Sequence, residues 1–537
     1  MRPHYARSAH TLYGHRELVM HRSHPSPAGS AALERHWRAG PLSKSKEFQV
    51  MHTRRDILQL LGASAGAGLL AGALPALAAA PAAGTSSTTG RFVSKRPPKA
   101  QRRFVSKAVE QQIAQVKARI ADPELAWLFE NCYPNTLDTT VETGTRNGKP
   151  DTFVITGDIH AMWLRDSSAQ VHPYVPLAKH DPALRRMFHG LIQRQAACIT
   201  LDPYANAFLP DGQTQRLKWS LNDITDMKHG VGERKWEIDS LCYPIRIAHE
   251  YWRATGDAAP FDDDWRAAMH VVVKTFREQQ RKDNRGPYVF QRPSPLATET
   301  LVLEGYGQPT KPNGMIHSMF RPSDDACVFP LFVPANLFAV TSLRQLATMS
   351  TALHRDAAFA AECTALADEV ETATRQFGQQ RDADGQAYWA FEVDGFGNQL
   401  FIDDANAPGL LSLAYLGCCD RTDPVFLRTR QLAWSERNPY FSRGTAAEGV
   451  GSPHSGMGTI WPMSIIQYAL VSDDDAQLRQ CLQWLKTTHA GTGFMHEAFH
   501  KDNPNTFTRD WFAWANTLFG ELIIDLHQRK PQLLRSA

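Results

Sequence analysis

The 537-residue chain predicts an all-α fold: an α/α barrel with short β-hairpins in its loops. Three observations carry that expectation. Apolar residues recur at helical spacing in about a dozen stretches after Val105, while strand-like patterns with turn signals occur in only two places. The helical stretches follow one another as consecutive antiparallel pairs. Six loops of one polar and aromatic character recur along the chain, nearly all just before a predicted helix, as they would at one end of a ring of helix pairs. Periodicity establishes the helices alone; the barrel is inferred from their pairing.

Taken in order, the chain opens on fifty residues that precede Met51. Residues 51–84 read as a twin-arginine export signal, with Arg54-Arg55 ahead of an apolar Ala/Gly-rich run and Ala76-Leu77-Ala78 as a cleavage pattern. Such a signal carries folded cargo to the periplasm or outside the cell. Because a signal belongs near a start, residues 1–50 are expected to be a mis-assigned start without a fold of their own. Residues 85–104 have the Pro, Ser, Thr, Lys and Arg composition of a disordered linker. In it Arg91-Phe-Val-Ser-Lys95 returns as Arg103-Phe-Val-Ser-Lys107, too short a duplication for a structural repeat. The folded α/α domain is expected to span 105–537.

Within it, Val105, Val109, Ile113, Val116 and Ile120 mark the first helix. Residues 135–156 are Thr-rich with Asn147-Gly148, a hairpin signal. Helices are then predicted over 168–178, 183–200, 236–254, 262–282, 330–353, 355–376, 408–416, 424–435, 461–470, 475–488 and 511–529. A second hairpin is predicted over 387–403, turning near Asp394-Gly395.

Composition excludes several classes. A formal net charge of +3 and no long basic run interleaved with aromatics argue against nucleic acid as a partner. No apolar run long enough to span a membrane follows the signal, so no stable membrane anchor is expected. The eight cysteines contain no CxxC pair; most are expected to be buried small apolar residues.

The most informative stretch runs from Thr156 to Tyr174, TGDIHAMWLRDSSAQVHPY. Trp163, Arg165 and Asp166 crowd into four positions, with Asp158 and His160 just before them. An ordinary amphipathic helix spaces its charges along one face. A loop rimming a cavity explains the crowding better. An aromatic plate suits the apolar face of a sugar, and a guanidinium fork with carboxylates suits paired hydroxyls. The competing structural reading is a surface helix start with Asp166 or Ser167 as N-cap. Five later stretches share the character. They supply Trp236 and Asp239; Arg321, Asp324 and Asp325; Asp403 and Asp404; Glu448, His454 and Trp461; and Glu497, Arg509 and Trp511.

The motifs WLRDSSAQ, WEIDSLCYP, FRPSDDA, EGVGSPH followed by IWPMS, and FMHEAF followed by TRDWFAWAN resemble glycoside hydrolase family 125, in order, from about residue 105 to the end. The resemblance implies an (α/α)6 barrel and an inverting, metal-independent exo-α-1,6-mannosidase that needs no cofactor and acts on a mannose-containing oligosaccharide or glycan. It implies that the acid lies in Ser323-Asp324-Asp325 and that Glu497 is the base. Inversion requires a carboxylic acid and a carboxylate on opposite sides of the sugar ring. Two adjacent Asp residues invite opposite fates, one protonated and one ionised. The sequence leans to Asp324 as the acid without deciding. The other candidates, Asp158, His160, Trp163, Arg165, Asp166, Trp236, Asp239, Arg321, Asp403, Asp404, Glu448, His454, Trp461, Arg509 and Trp511, are expected to bind sugar.

Two rival readings stand beside this one. A non-catalytic glycan-binding protein on the same scaffold would keep the sugar-binding loops without the opposed carboxylates. A zinc peptidase could be built on His496-Glu497-Ala-Phe-His500, an H-E-x-x-H pattern. That chemistry needs both histidines on one helix face, and Gly493 and Pro504 leave little room for a helix.

Overall fold

The computed structural model describes residues 92–535. The predicted start, the export signal and the first part of the linker lie outside the described residues. Three helices open the domain: α1 (Lys107–Lys117), α2 (Pro123–Cys132) and α3 (Asn135–Thr139). Inner and outer helices then alternate. α4 (Leu164–Ala169) runs on into a 3-10 turn at His172–Lys179, and α5 (Pro182–Leu201) returns outside it. The pairs α6 (Asp239–Thr255) with α7 (Asp263–Gln279), and α8 (Val333–Met349) with α9 (Ala357–Gly378), follow. After α10 (Pro424–Ala433) come α11 (Pro462–Leu470), α12 (Asp475–Thr487), α13 (Ala513–Arg529) and the short α14 (Gln532–Arg535). α4 packs on α6, α6 on α8, α11 on α13, and α13 back on α4, which closes the inner ring of the α/α barrel. α2 covers α13 from outside. Among the described residues, no helix is long and apolar enough to cross a membrane.

One ring position lacks the helix predicted over 408–416; the chain there is a run of turns. Side chains take the amides that would start a helix. The Asp403 carboxylate accepts from Leu410 N (2.7 Å) and Leu411 N (3.1 Å), and Ser412 Oγ accepts from Gly409 N. The segment still fills its place in the ring. Tyr243 of α6 donates to Ala407 O, Thr341 of α8 to Gly417 O, and Gln467 of α11 to Ala405 O.

Other boundaries also shift. α2 and α3 are additional to the helices expected from periodicity. The capping signature of α2 is nonetheless in the sequence: Asp122 accepts from Glu124 N and Leu125 N, and Pro123 sits at the first turn. The first hairpin forms as Val141–Arg146 against Lys149–Val154, with Asn147 and Gly148 both at positive φ, the two-residue turn that suits strand twist. The second prediction splits. Glu392–Val393 pairs with Gln399–Leu400 around Asp394-Gly395, whereas Ala387–Trp389 pairs backwards with Gln379–Arg381. The eight cysteines are unpaired, and most are buried.

The linker expectation fails for its described part. From Phe92 the chain lies against the domain. Trp127 Nε1 donates to Val93 O, Lys95 N donates to Asn131 Oδ1, and the Phe92 and Trp127 rings lie 5.4 Å apart. Arg96 bridges Asp138 (2.7 Å) and Glu110 (3.0 Å). Asp138 is buried, so this arginine is the partner its charge requires. One guanidinium and one ring outweigh a polar composition.

Inside the ring, His172 lies between Glu250 of α6 and Glu521 of α13, with Nδ1 3.0 Å from Glu521 Oε1 and Nε2 in contact with Glu250. Burial and the Arg246 charge oppose its protonation. The two carboxylates outweigh them and lift His172 from 6.5 to about 9. A raised folded-state value contributes stability that is complete below 6.5 and lost as pH rises through about 9. Thermal melts should therefore fall as pH is raised from 7 to 10. His172→Gln should melt lower at pH 7 and show a flatter dependence. Parallel profiles for both proteins would remove His172 as the linked group.

Candidate active site

Three small sheets gather distant residues at the N-terminal ends of the inner helices. Met162–Trp163, Ala207–Phe208 and Val231–Glu233 pair side by side, bringing Arg165, Asn206 and residues 233–239 together. Leu331–Phe332 pairs with Glu392–Val393, which sets Glu392 beneath Arg321. Thr459–Ile460, Phe499–His500 and Asn503–Phe507 join Trp461, Glu497 and Thr508.

The result is a wide cleft of about 710 Å³ adjoining a narrower pocket. Trp163, Arg165, Asp166, Ser323, Asn406, Trp461 and Trp514, all buried, line the narrow pocket. Trp219, Lys235, Thr298, Tyr440 and Met457 line the wide cleft, among others. Asp324, His454 and Glu497 line both. Trp163 Nε1 is a buried donor with no protein acceptor among the described residues, at the wall of the narrow pocket.

Arg165 organises the buried side. Its Nη1 donates to Asp166 (2.7 Å), Nε to Asp239 (3.2 Å), and Nη2 to Glu237 (3.1 Å) and Asp324 (3.3 Å). The guanidinium lies 5.9 Å from the Trp514 ring centroid. Asn206 Nδ2 donates to Glu233, Glu237 and Asp324. Four carboxylates share one guanidinium, and the excess charge raises proton affinity. Burial, with Asp239 and Asp324 adding to it against Arg165, pushes Glu237 well above the usual carboxylate range. Burial likewise lifts Asp239 to about 6.

Asp324 sits at the end of a tight turn. Asp324 N donates to Arg321 O (2.9 Å), and Arg321 N to Asp325 O (2.8 Å). Pro322 suits the second position of such a turn. Asp324 itself is left-handed, with φ +68°, where glycine is at ease and other residues are strained. Glu497, which lines the same two cavities, accepts from Thr508 Oγ1 (3.1 Å) and lies 3.4 Å from Arg509 Nε, while Arg509 Nη1 donates to Asp158.

The predicted residues divide. Trp163, Arg165, Asp166, Asp324, Asp325, His454, Trp461 and Glu497 line the two cavities. Arg165 spends its donors on carboxylates, so it orders the site. Asp239 is buried behind it, and Arg509 and Asp158 brace Glu497. Asp404 backs the same wall, bonded to Asn406 and Ser452. Several others lie elsewhere. Trp236 is core, its Nε1 bonded to His317 O. Arg321 is buried against Glu392 at 2.6 Å. Asp403 caps the 408–416 turns, and burial pushes it up to about 8. Glu448 pairs with Arg443. His160 is exposed beside Glu142, and Trp511 lines a separate pocket with Lys95 and Phe494. Trp514, three residues further on, takes the place predicted for Trp511. Sequence reasoning also passed over Asn206, Lys235 and Thr508, polar residues whose neighbours only folding supplies.

The H-E-x-x-H reading is overturned. His500 lies in the Phe499–His500 strand. His496 turns the other way, its Nδ1 2.6 Å from Arg509 O and its ring stacked on Phe507 at 3.9 Å. There is no helix face to present both histidines.

Residues 122–524 match the family model described as metal-independent alpha-mannosidase (GH125). The chain belongs to glycoside hydrolase family 125. A solved Streptococcus pneumoniae protein from the metal-independent α-mannosidases, in a non-productive complex with α-1,6-mannobiose, is 39% identical; it matches with a TM-score of 0.76 over 80% of this chain and all of that one. The meiotically up-regulated gene 157 protein of Schizosaccharomyces pombe is 42% identical over 467 residues, covering 83% of this chain and 90% of that protein. In this α-mannosidase Asp324 and Glu497 lie where a buried pocket meets an open cleft.

Its left-handed Asp324 trades backbone strain for a carboxyl in that position. Asp324→Gly relieves a conformational cost of about 1 kcal/mol and one charge of the cluster. It should melt at the wild-type temperature or above while losing nearly all turnover. A clear drop in melting temperature would show that the carboxylate is needed by the fold.

Proposed function

We propose that this α-mannosidase is an exported exo-enzyme that removes non-reducing terminal α-1,6-linked mannose from an oligosaccharide or glycan, with inversion. The observation that carries this reading is that Asp324 and Glu497 line both cavities. A single terminal ring fits the narrow, buried side, against Trp163 and Trp461. The leaving-group chain fits the wide cleft. The α-1,6-mannobiose held by the pneumococcal relative supports the linkage.

In the proposed reaction Asp324 gives its proton to the glycosidic oxygen as the bond to the anomeric carbon breaks. Glu497 takes a proton from water attacking the opposite face, so an α-mannoside yields β-mannose. Arg165 holds Asp324 at 3.3 Å and Arg509 stands 3.4 Å from Glu497, so each of the two carboxyls is fixed by one guanidinium. Asp325, held by Ser323 Oγ at 3.4 Å and with His454 3.7 Å away, serves as a wall of the cleft.

Glu497→Gln should cost about a hundredfold or more in turnover, with mannose binding kept. NMR of the first product should show β-mannose. Initial α-mannose, or a Glu497→Gln enzyme of normal rate, would reject the mechanism. Asp324→Asn should harm α-1,6-mannobiose far more than an aryl mannoside with a good leaving group, whereas Asp325→Asn should harm both alike; the reverse pattern would exchange the two roles.

Export rests on Arg54-Arg55 and the apolar run behind them. Replacing both arginines by lysine should leave the activity inside the cell. Unchanged export would discard this part of the reading.

A further inference from the structure

Lys235 holds Asp324 by its backbone. The Lys235 ammonium donates to Asp324 O at 2.6 Å and lies 5.1 Å from the Phe320 ring centroid. The side chain is buried, with Glu233 3.9 Å away. The neighbouring residue fixes the start of the same turn, since Trp236 O accepts from Met319 N (3.2 Å) and Phe320 N (3.0 Å). Residues 235–236 therefore grip the Asp324 turn at its base and at its far end. The grip has two loads to carry. Asp324 is left-handed, so its backbone gains by relaxing. Its carboxylate is surrounded by Glu233, Glu237 and Asp239, so like charge pushes it away. Arg165 and Asn206 hold Oδ1, but they fix the side chain only if the backbone beneath it stays in place. An ammonium at the carbonyl does this and adds positive charge on the same side. Burial against Phe320 leaves the lysine little freedom to let go.

We propose that Lys235 is a positioning residue. It locks the strained turn so that the Asp324 carboxyl is aimed at the glycosidic oxygen. The inference rests on the reading of Asp324 as the acid, and the experiment separates the two. A misaimed acid harms only substrates that need the proton. Lys235→Met should lose about tenfold or more in kcat on α-1,6-mannobiose, with KM nearly unchanged, and little on an aryl mannoside with a good leaving group. Lys235→Arg, which keeps a charged donor, should recover part of the loss and carries the test if the methionine variant does not fold. In an Asp324→Asn background, the Lys235 change should cost nothing further on mannobiose, because the group it aims is gone. Equal losses on both substrates, or full additivity with Asp324→Asn, would overturn the inference and leave Lys235 a binding or folding residue. If Asp324→Asn alone shows no leaving-group dependence, the acid assignment fails, and the positioning role fails with it.

Discussion

The site depends on one guanidinium. Arg165 ties together the start of α4, the entry to α6 at 237–239 and the Asp324 turn, and it packs over Trp514 at the start of α13. Four carboxylates in a dry pocket would repel one another and stay protonated or dissolve the arrangement. One arginine turns them into an ordered array, because its planar fork offers five donors in fixed directions; a lysine offers a point charge. Buried ion clusters recover little net stability after desolvation. Their return here is geometry: each acid is held at a set angle before substrate arrives, which is the condition under which electrostatic catalysis works.

The barrel supplies that geometry without much regular structure at the site. Inner helices bury their lengths against one another and leave their N-terminal ends to carry loops. Three small sheets then fix those loops sideways. Asp166 and Asp239 fall in the first turns of α4 and α6, where the helix dipole favours an acid. Further along, the His172–Glu250–Glu521 contact ties the same helices together, so the rim rests on a ring that is itself cross-linked by charge.

Most of the barrel was legible because its helices are long and periodic, and Asp-Pro pairs at 181–182 and 423–424 begin two of them. The 408–416 turns were not, since their apolar run is helix-like and it is the side chains of Asp403, just before it, and Ser412, within it, that divert it. The site was legible as a set of loops and much less as a set of side chains. Composition marks a loop, but direction is settled by contacts from elsewhere. In Lys235-Trp-Glu-Ile-Asp239, Trp236 and Ile238 turn to the core while Glu237 and Asp239 meet Arg165, a partner seventy-odd positions away. Trp511 and Trp514 look alike in sequence, yet only the second falls within a helix turn that faces the pocket. Asn206 lies outside every marked loop and Lys235 only opens one, and their roles exist only once the Asp324 turn is beside them.

What distinguishes this rim from a surface that merely binds sugar is where the structure accepts cost. A binding site needs aromatic plates and satisfied hydroxyl partners, and Trp163 and Trp461 with their neighbours would serve. It has no use for a non-glycine residue in a left-handed turn, nor for Glu237 and Asp239 driven upward by burial and crowding. Strain and proton-retaining carboxylates are unfavourable for folding, and they coincide here on one residue's surroundings. Glu497 lines the same two cavities, beside Arg509 and Thr508. Asp324 and Glu497, each beside a guanidinium, both stand where the narrow pocket meets the wide cleft. The strained Asp324 turn and the crowded carboxylates behind it meet at that mouth.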